Sequence, residues 1–123
     1  MNFTGILIGS EDPKRLSEYY TRLFGEPMFD DSGYTGWQIG SAAVTVGPHS
    51  EVHGRNAEPG RVIWNIETSD VRGEFDRMKA AGAAVVREPY TMDGMPADSF
   101  IATLEDPDGN YFQLMSPMDP SSM

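Results

Sequence analysis

Residues 10–27, SEDPKRLSEYYTRLFGEP, decide the architecture. Asp12 is a helix N-cap candidate, because a short carboxylate accepts hydrogen bonds from the orphan N–H groups of a first turn, and Pro13 suits the first helical position. Leu16, Tyr19, Tyr20, Leu23 and Phe24 then recur at spacings of three and four and mark one apolar helix face, which Gly25 is placed to end. The same plan returns in residues 69–82, SDVRGEFDRMKAAG. There Asp70 is the cap, Val71, Phe75 and Met78 share a face, and Gly82 offers the stop. Only Gly73, inside the first turn, weakens that helix. Caps and stops repeat at an offset of about 57 residues, the mark of an internal repeat.

Working outward, each helix follows a strand-like run, Phe3 to Gly9 and Arg61 to Glu67, and precedes up to three more strands. In the first half Gly36 to Ile39 and Ala42 to Gly47 flank Gly40-Ser41, which reads as a tight hairpin turn. In the second half Ala84 to Arg87 is followed by Ser99 to Leu104 and Asn110 to Ser116, the last two joined by Asp106-Pro107-Asp108-Gly109. Proline presets φ there and glycine accepts a positive φ. The fold expected is α+β, two βαβββ modules within one domain spanning 1–123. Module one covers about 3–48, a polar linker 49–60, module two 61–117 and a flexible tail 118–123.

Composition narrows the function classes. The chain has 123 residues, 39% hydrophobic and 23% charged, enough apolar material for a core and no case for general disorder. Nine Lys and Arg against nineteen Asp and Glu give a net charge of −10. That balance opposes nucleic-acid binding, which needs clustered positive charge to release counterions. It suits a cationic ligand, or simply a solvated acidic surface. With no cysteine, disulfides, thiolate metal sites and cysteine nucleophiles are excluded. The start, MNFTGILIGSEDPKRL, lacks a basic leader and a cleavage pattern, and no apolar run approaches about 18 residues, so a cytoplasmic protein without membrane contact is expected.

Strand parity sorts each strand into two faces. Ile6 and Ile8 oppose Gly5, Leu7 and Gly9. Val62, Trp64 and Ile66 oppose Ile63, Asn65 and Glu67. Phe112 and Leu114 oppose Tyr111, Gln113 and Met115. The uniformly apolar faces belong beneath the helices. The mixed faces carry small, amide, acidic and aromatic groups, which fits either a ligand surface or a face turned to water.

Taken with the repeat, SEDPKRLSEYYTRLFGEP and residues 104–117, LEDPDGNYFQLMSP, resemble the first strand-to-helix junction and the last hairpin of the vicinal oxygen chelate superfamily. This group includes glyoxalase I, extradiol dioxygenases, fosfomycin resistance enzymes and bleomycin resistance proteins. The match runs from about Phe3 to Pro117. It implies two βαβββ modules whose sheets curve into an open, barrel-like form with a central cleft. Many such enzymes hold a divalent metal through about four imidazole or carboxylate ligands on the first and last strands of each module. The matching positions here are Gly5, with Thr4 one residue away, Ile63, a site near Val44, and Gln113. None is His, Asp or Glu, so no catalytic metal and no cofactor are expected. Gln113 keeps a hydrogen-bonding head where the metalloenzymes have glutamate, and loses the charge that holds a cation. His49 and His53 fall in the linker, in GPHSEVHG, and read as exposed loop residues. No phosphate loop or nucleophile elbow is present.

The leading expectation is a metal-independent small-molecule binder, of the drug-sequestering type seen in the bleomycin-resistance branch. Candidate ligand-binding residues are Trp37, Asn65, Tyr111 and Gln113, with Tyr34 and Met92 on loops at the border. Trp37 has an equal alternative as a core tryptophan. Glu67 shares the parity of Asn65 but lies at the strand end, where it reads first as an exposed carboxylate. Two other functions stand beside this one. One is a metal-independent lyase, isomerase or other enzyme using Glu67 or Tyr111 for acid-base catalysis. The other is a catalytically silent module acting by association. The resemblance implies a homodimer. Residues 92–98, rich in Met, Gly and Pro, read as an ordinary connection or an adaptable binding loop.

Overall fold

Asp12 and Asp70 open the two helices. In the computed structural model, which describes residues 1–117, α1 spans Pro13–Phe24 and α2 spans Val71–Ala80. The Asp12 carboxylate accepts from the Arg15 N–H at 3.3 Å and the Asp70 carboxylate from the Gly73 N–H at 3.0 Å. Gly73 is therefore no weakness: a Cβ at that position would run into the capping carboxylate. Gly25, with φ of 86°, follows α1 and donates its N–H to the Thr21 carbonyl.

The chain forms two compact units that divide after Arg55. Residues 1–55 contain β1 (Gly5–Ser10), α1, β2 (Phe29–Asp31), β3 (Tyr34–Ile39) and β4 (Ala42–Pro48). The sheet order is β1-β4-β3-β2, with β1 parallel to β4 and the other pairs antiparallel. From Asn56 onward come β5 (Trp64–Glu67), α2, β6 (Ala84–Tyr90), β7 (Ile101–Glu105) and β8 (Tyr111–Met115). Their order, β5-β8-β7-β6, has the same plan, with β5 parallel to β8. The architecture is thus α+β, βαβββ twice over. Neither sheet closes on itself, since each has two edge strands. No helix among the described residues is long and apolar enough to cross a membrane. The expected tail, 118–123, lies outside the described residues.

In each unit one sheet face packs on the helix. Register sets Ile6 beside Val44 and Trp37, and Ile8 beside Val46 and Thr35. The interior of this unit is made by Leu16, Tyr19, Tyr20 and Leu23 with Trp37, Val44 and Val46, all buried. In the second unit Val71, Phe75 and Met78 of α2 are buried together with Ala102, Leu104, Phe112 and Leu114. The Trp64 ring stacks on Phe112 at 5.2 Å. Each such side chain contributes about 1.5–3 kcal/mol by leaving water.

Three expectations about strands change. Val62 does not share the buried face of Trp64 and Ile66, because Pro59–Arg61 form a 3-10 turn, β5 starts only at Trp64, and Val62 is 74% exposed. The strand of the first module that sequence left unassigned is β2, whose Phe-Asp-Asp sequence gives little strand signal by itself. Finally, β6 continues past Arg87 to Tyr90, with irregular register either side of Arg87 that carries the edge strand past Pro89.

The last hairpin turns on a buried carboxylate. Asp106, 2% exposed, accepts through Oδ1 from the N–H groups of Asp108 at 2.9 Å and Asn110 at 3.0 Å. Asn56 fastens the start of the unit to this turn. Its N–H donates to the Asp108 carbonyl at 2.8 Å and its side-chain amide to Asn110 Oδ1 at 3.0 Å.

Candidate functional site

The sheet faces turned away from the helices carry the residues available to a ligand. In the first unit one row across four strands is Leu7, Thr45, Gly36 and Phe29. The Phe29 ring occupies the space that a Cβ on Gly36 would fill, and the Tyr34 ring the space above Gly47. Glycine therefore lets two aromatic rings lie directly on the sheet backbone. Both rings are more than one-third exposed, and Leu7 more than half. Tyr34, expected on a loop, opens β3.

In the second unit the corresponding face has two rows. One is Asn65, Gln113, Thr103 and Arg87; the next is Glu67, Met115, Ile101 and Tyr90. Tyr111 stands beside Glu105 farther along. Gln113 Nε2 donates to Thr103 Oγ1 at 3.2 Å, which fixes the orientation of the amide and leaves its Oε1 as an acceptor. The Arg87 guanidinium lies 3.7 Å from the centroid of the Tyr90 ring. Asn65 and Gln113 are thus neighbours, directly paired across β5 and β8. Tyr111 lies four residues before Met115, the register partner of Glu67, so the two acid-base candidates are separated by about 13 Å along the strand direction.

Trp37 takes the core position. It is 2% exposed on the helix-facing side, with its indole N–H donating to the Gly25 carbonyl at 3.0 Å. Its ring centroid is 6.0 Å from that of Tyr20. Met92 lies exposed in the segment between β6 and β7. Sequence reasoning overlooked Phe29, Thr103 and Arg87. A glycine within a strand, here Gly36, was the available signal for a ring lying across the sheet.

The four positions matched to metal ligands do not fit a metal. Val44 points to the helix side and is buried, so its open-face neighbours on β4 are Ala43 and Thr45. With Gly5, Ile63 and Gln113 the set offers one neutral amide and one hydroxyl, without imidazole or carboxylate. Among the described residues no three His, Asp or Glu side chains stand close enough to share an ion. His49, exposed on its loop, accepts through Nδ1 from the Glu51 N–H at 3.2 Å.

A separate groove of about 680 Å³ runs between α1 and the β2–β3 turn, lined in part by Lys14, Glu18, Arg22 and Asp30. Its helix charges alternate in sign at four-residue spacing, the pattern of a solvated helix face.

Residues 5–115 match the family model of the glyoxalase-like domain. The chain belongs to the glyoxalase-like domain family. Solved structures of the same fold include TioX from Micromonospora sp. ML1, with a TM-score of 0.73 and 19% identity, covering 94% of this chain and 98% of that one. A glyoxalase/bleomycin resistance protein/dioxygenase family enzyme from Burkholderia phytofirmans PsJN has a TM-score of 0.73 and 20% identity over 94% of this chain and 98% of its own. A glyoxalase/bleomycin resistance protein from Catenulispora acidiphila has a TM-score of 0.68 and 18% identity over 94% and 96%. At such identities the likeness concerns the fold. No curated protein sequence matches this glyoxalase-like domain.

Proposed function

We propose that this glyoxalase-like protein binds a small organic molecule on the open faces of its sheets and does so without a metal ion. The observation that carries this reading is the composition of those faces. Where the resemblance would place ligands for an ion stand Gly5, Ala43 or Thr45, Ile63 and Gln113, while exposed aromatic rings and paired amides remain. On the second sheet Tyr90, Ile101 and Met115 supply area for an apolar body, and Asn65 and Gln113 fix its polar edge; the first sheet separately offers the rings of Phe29 and Tyr34. A role in sequestering a drug or metabolite follows from binding without turnover. The protein is further proposed to act in the cytoplasm as a homodimer, and light scattering on the eluting protein tests the dimer directly.

The experiment is a thermal-shift screen of metabolites and antibiotics on chelator-treated protein, since a ligand of the native state raises apparent stability by mass action. Hits are expected to weaken on Gln113→Ala and Asn65→Ala. Hits that ignore both substitutions, together with Phe29→Ala and Tyr34→Ala, place binding elsewhere and refute the proposal.

A further inference from the structure

Arg87 and Thr103 are register partners on adjacent strands of the second sheet and face the same side. Thr103 is only 7% exposed, and its hydroxyl oxygen is occupied as the acceptor from Gln113. A hydroxyl also has a proton to donate, and among the described residues no acceptor takes it. On the neighbouring strand the Arg87 guanidinium rests on the Tyr90 ring, with no carboxylate partner among the described residues. Stacking of this kind holds the planar fork in place while leaving its N–H edge free. A buried hydroxyl proton and a held guanidinium carried on paired backbone positions form a donor set, and what matches such a set is an anionic oxygen.

The surroundings define the rest of the ligand. The next row holds Met115 and Ile101 beside Tyr90, an apolar strip leading away from the donors. Glu67 lies on β5, at the opposite edge of the four-stranded sheet, about 14 Å from Arg87 by strand spacing. Glu105 is on the same face two residues beyond Thr103, on the side away from Ile101. Both carboxylates are thus displaced from the strip.

We propose that the open face of the second sheet takes a small organic carboxylate, its carboxyl group seated against Arg87 and the Thr103 hydroxyl and its apolar body over Ile101 and Met115. This rests on the reading of the open faces as ligand surfaces, and it sharpens it. The chain's net charge of −10 by itself suits a cationic ligand or simply a solvated acidic surface, whereas the local donors select an anion.

The test uses three matched probe sets with chelator-treated protein in calorimetry and thermal shift. These are benzoate, phenylacetate, cinnamate and octanoate, their primary amides, and benzylamine with phenethylamine. At least one carboxylate is expected to bind saturably and about tenfold or more tighter than its amide, the scale of a charge-assisted hydrogen bond. Arg87→Gln should erase that preference, Arg87→Lys retain part of it, and Thr103→Val weaken the carboxylate severalfold. Circular dichroism and the melting temperature of each unliganded variant separate loss of binding from loss of fold. Amides or amines that bind as well as the acids, or an unchanged carboxylate affinity in Arg87→Gln, overturn the carboxylate assignment and leave the open-face reading standing. Failure of all three probe sets together with an empty metabolite screen overturns both.

Discussion

The indole N–H of Trp37 donates to the carbonyl oxygen of Gly25, the residue that ends α1, at 3.0 Å. The bond ties the third strand to the end of the helix that the same sheet buries. It also satisfies a carbonyl at a helix terminus, where intrahelical partners run out. Trp37→Phe removes this bond and part of the ring. Urea denaturation should show a loss of about 1.5–3 kcal/mol, with no change in affinity for any ligand that Gln113→Ala weakens.

Asp106 and Asn110 make the last hairpin a second point of stability. Asp106→Ala deprives two backbone N–H groups of their acceptor in a buried turn, and should cost about 2–4 kcal/mol. Asp106→Asn retains one acceptor oxygen at that place and should cost less than the alanine variant. Equal losses in the two variants by urea denaturation would contradict the acceptor role.

Asp70 and Gly73 predict a coupling. Elsewhere in a helix, glycine to alanine stabilises by about 1 kcal/mol. Here the added Cβ displaces the capping carboxylate, so Gly73→Ala should yield little or no gain. Asp70→Ala alone should cost about 1 kcal/mol, and much less in the Gly73→Ala background. A double-mutant cycle measures the difference, and additive losses would count against the cap.

Gly47 and Tyr34 predict a rescue. A methyl group at 47 meets the Tyr34 ring, so Gly47→Ala should destabilise by about 1–3 kcal/mol through displacement of that ring. In a Tyr34→Ala background the same substitution should cost little. Thermal melting of the four proteins checks both statements, and a full-sized penalty without the ring would show that it does not rest there.

These elements also show which features sequence alone makes legible. Both helices could be read from Asp12, Gly25, Asp70 and Gly82, because capping and termination are local chemistry. The facing of Ile6 and Ile8, and of Phe112 and Leu114, followed from period-two alternation in unbroken strands. Trp37 could not be assigned a side without the pairing of β3 to β4, which is a contact between strands. β2 is invisible in Phe-Asp-Asp and is held by its pairing with β3 and by the ring of Phe29 on Gly36. The irregular register of β6 likewise hid Arg87, since parity cannot be carried through a bulge. The shared face of Asn65 and Gln113 was legible because each sits in a regular strand, and the two are direct neighbours.

Metal-independent binding is tested most directly by calorimetric titration of the tightest ligand from the metabolite screen, once in chelator and once with zinc, nickel, manganese or iron(II) in slight excess. The same affinity and one-to-one stoichiometry are expected in every case, with a marked loss on Gln113→Ala. Binding that appears only with a metal, together with one-to-one uptake of that metal by the protein itself, would contradict it.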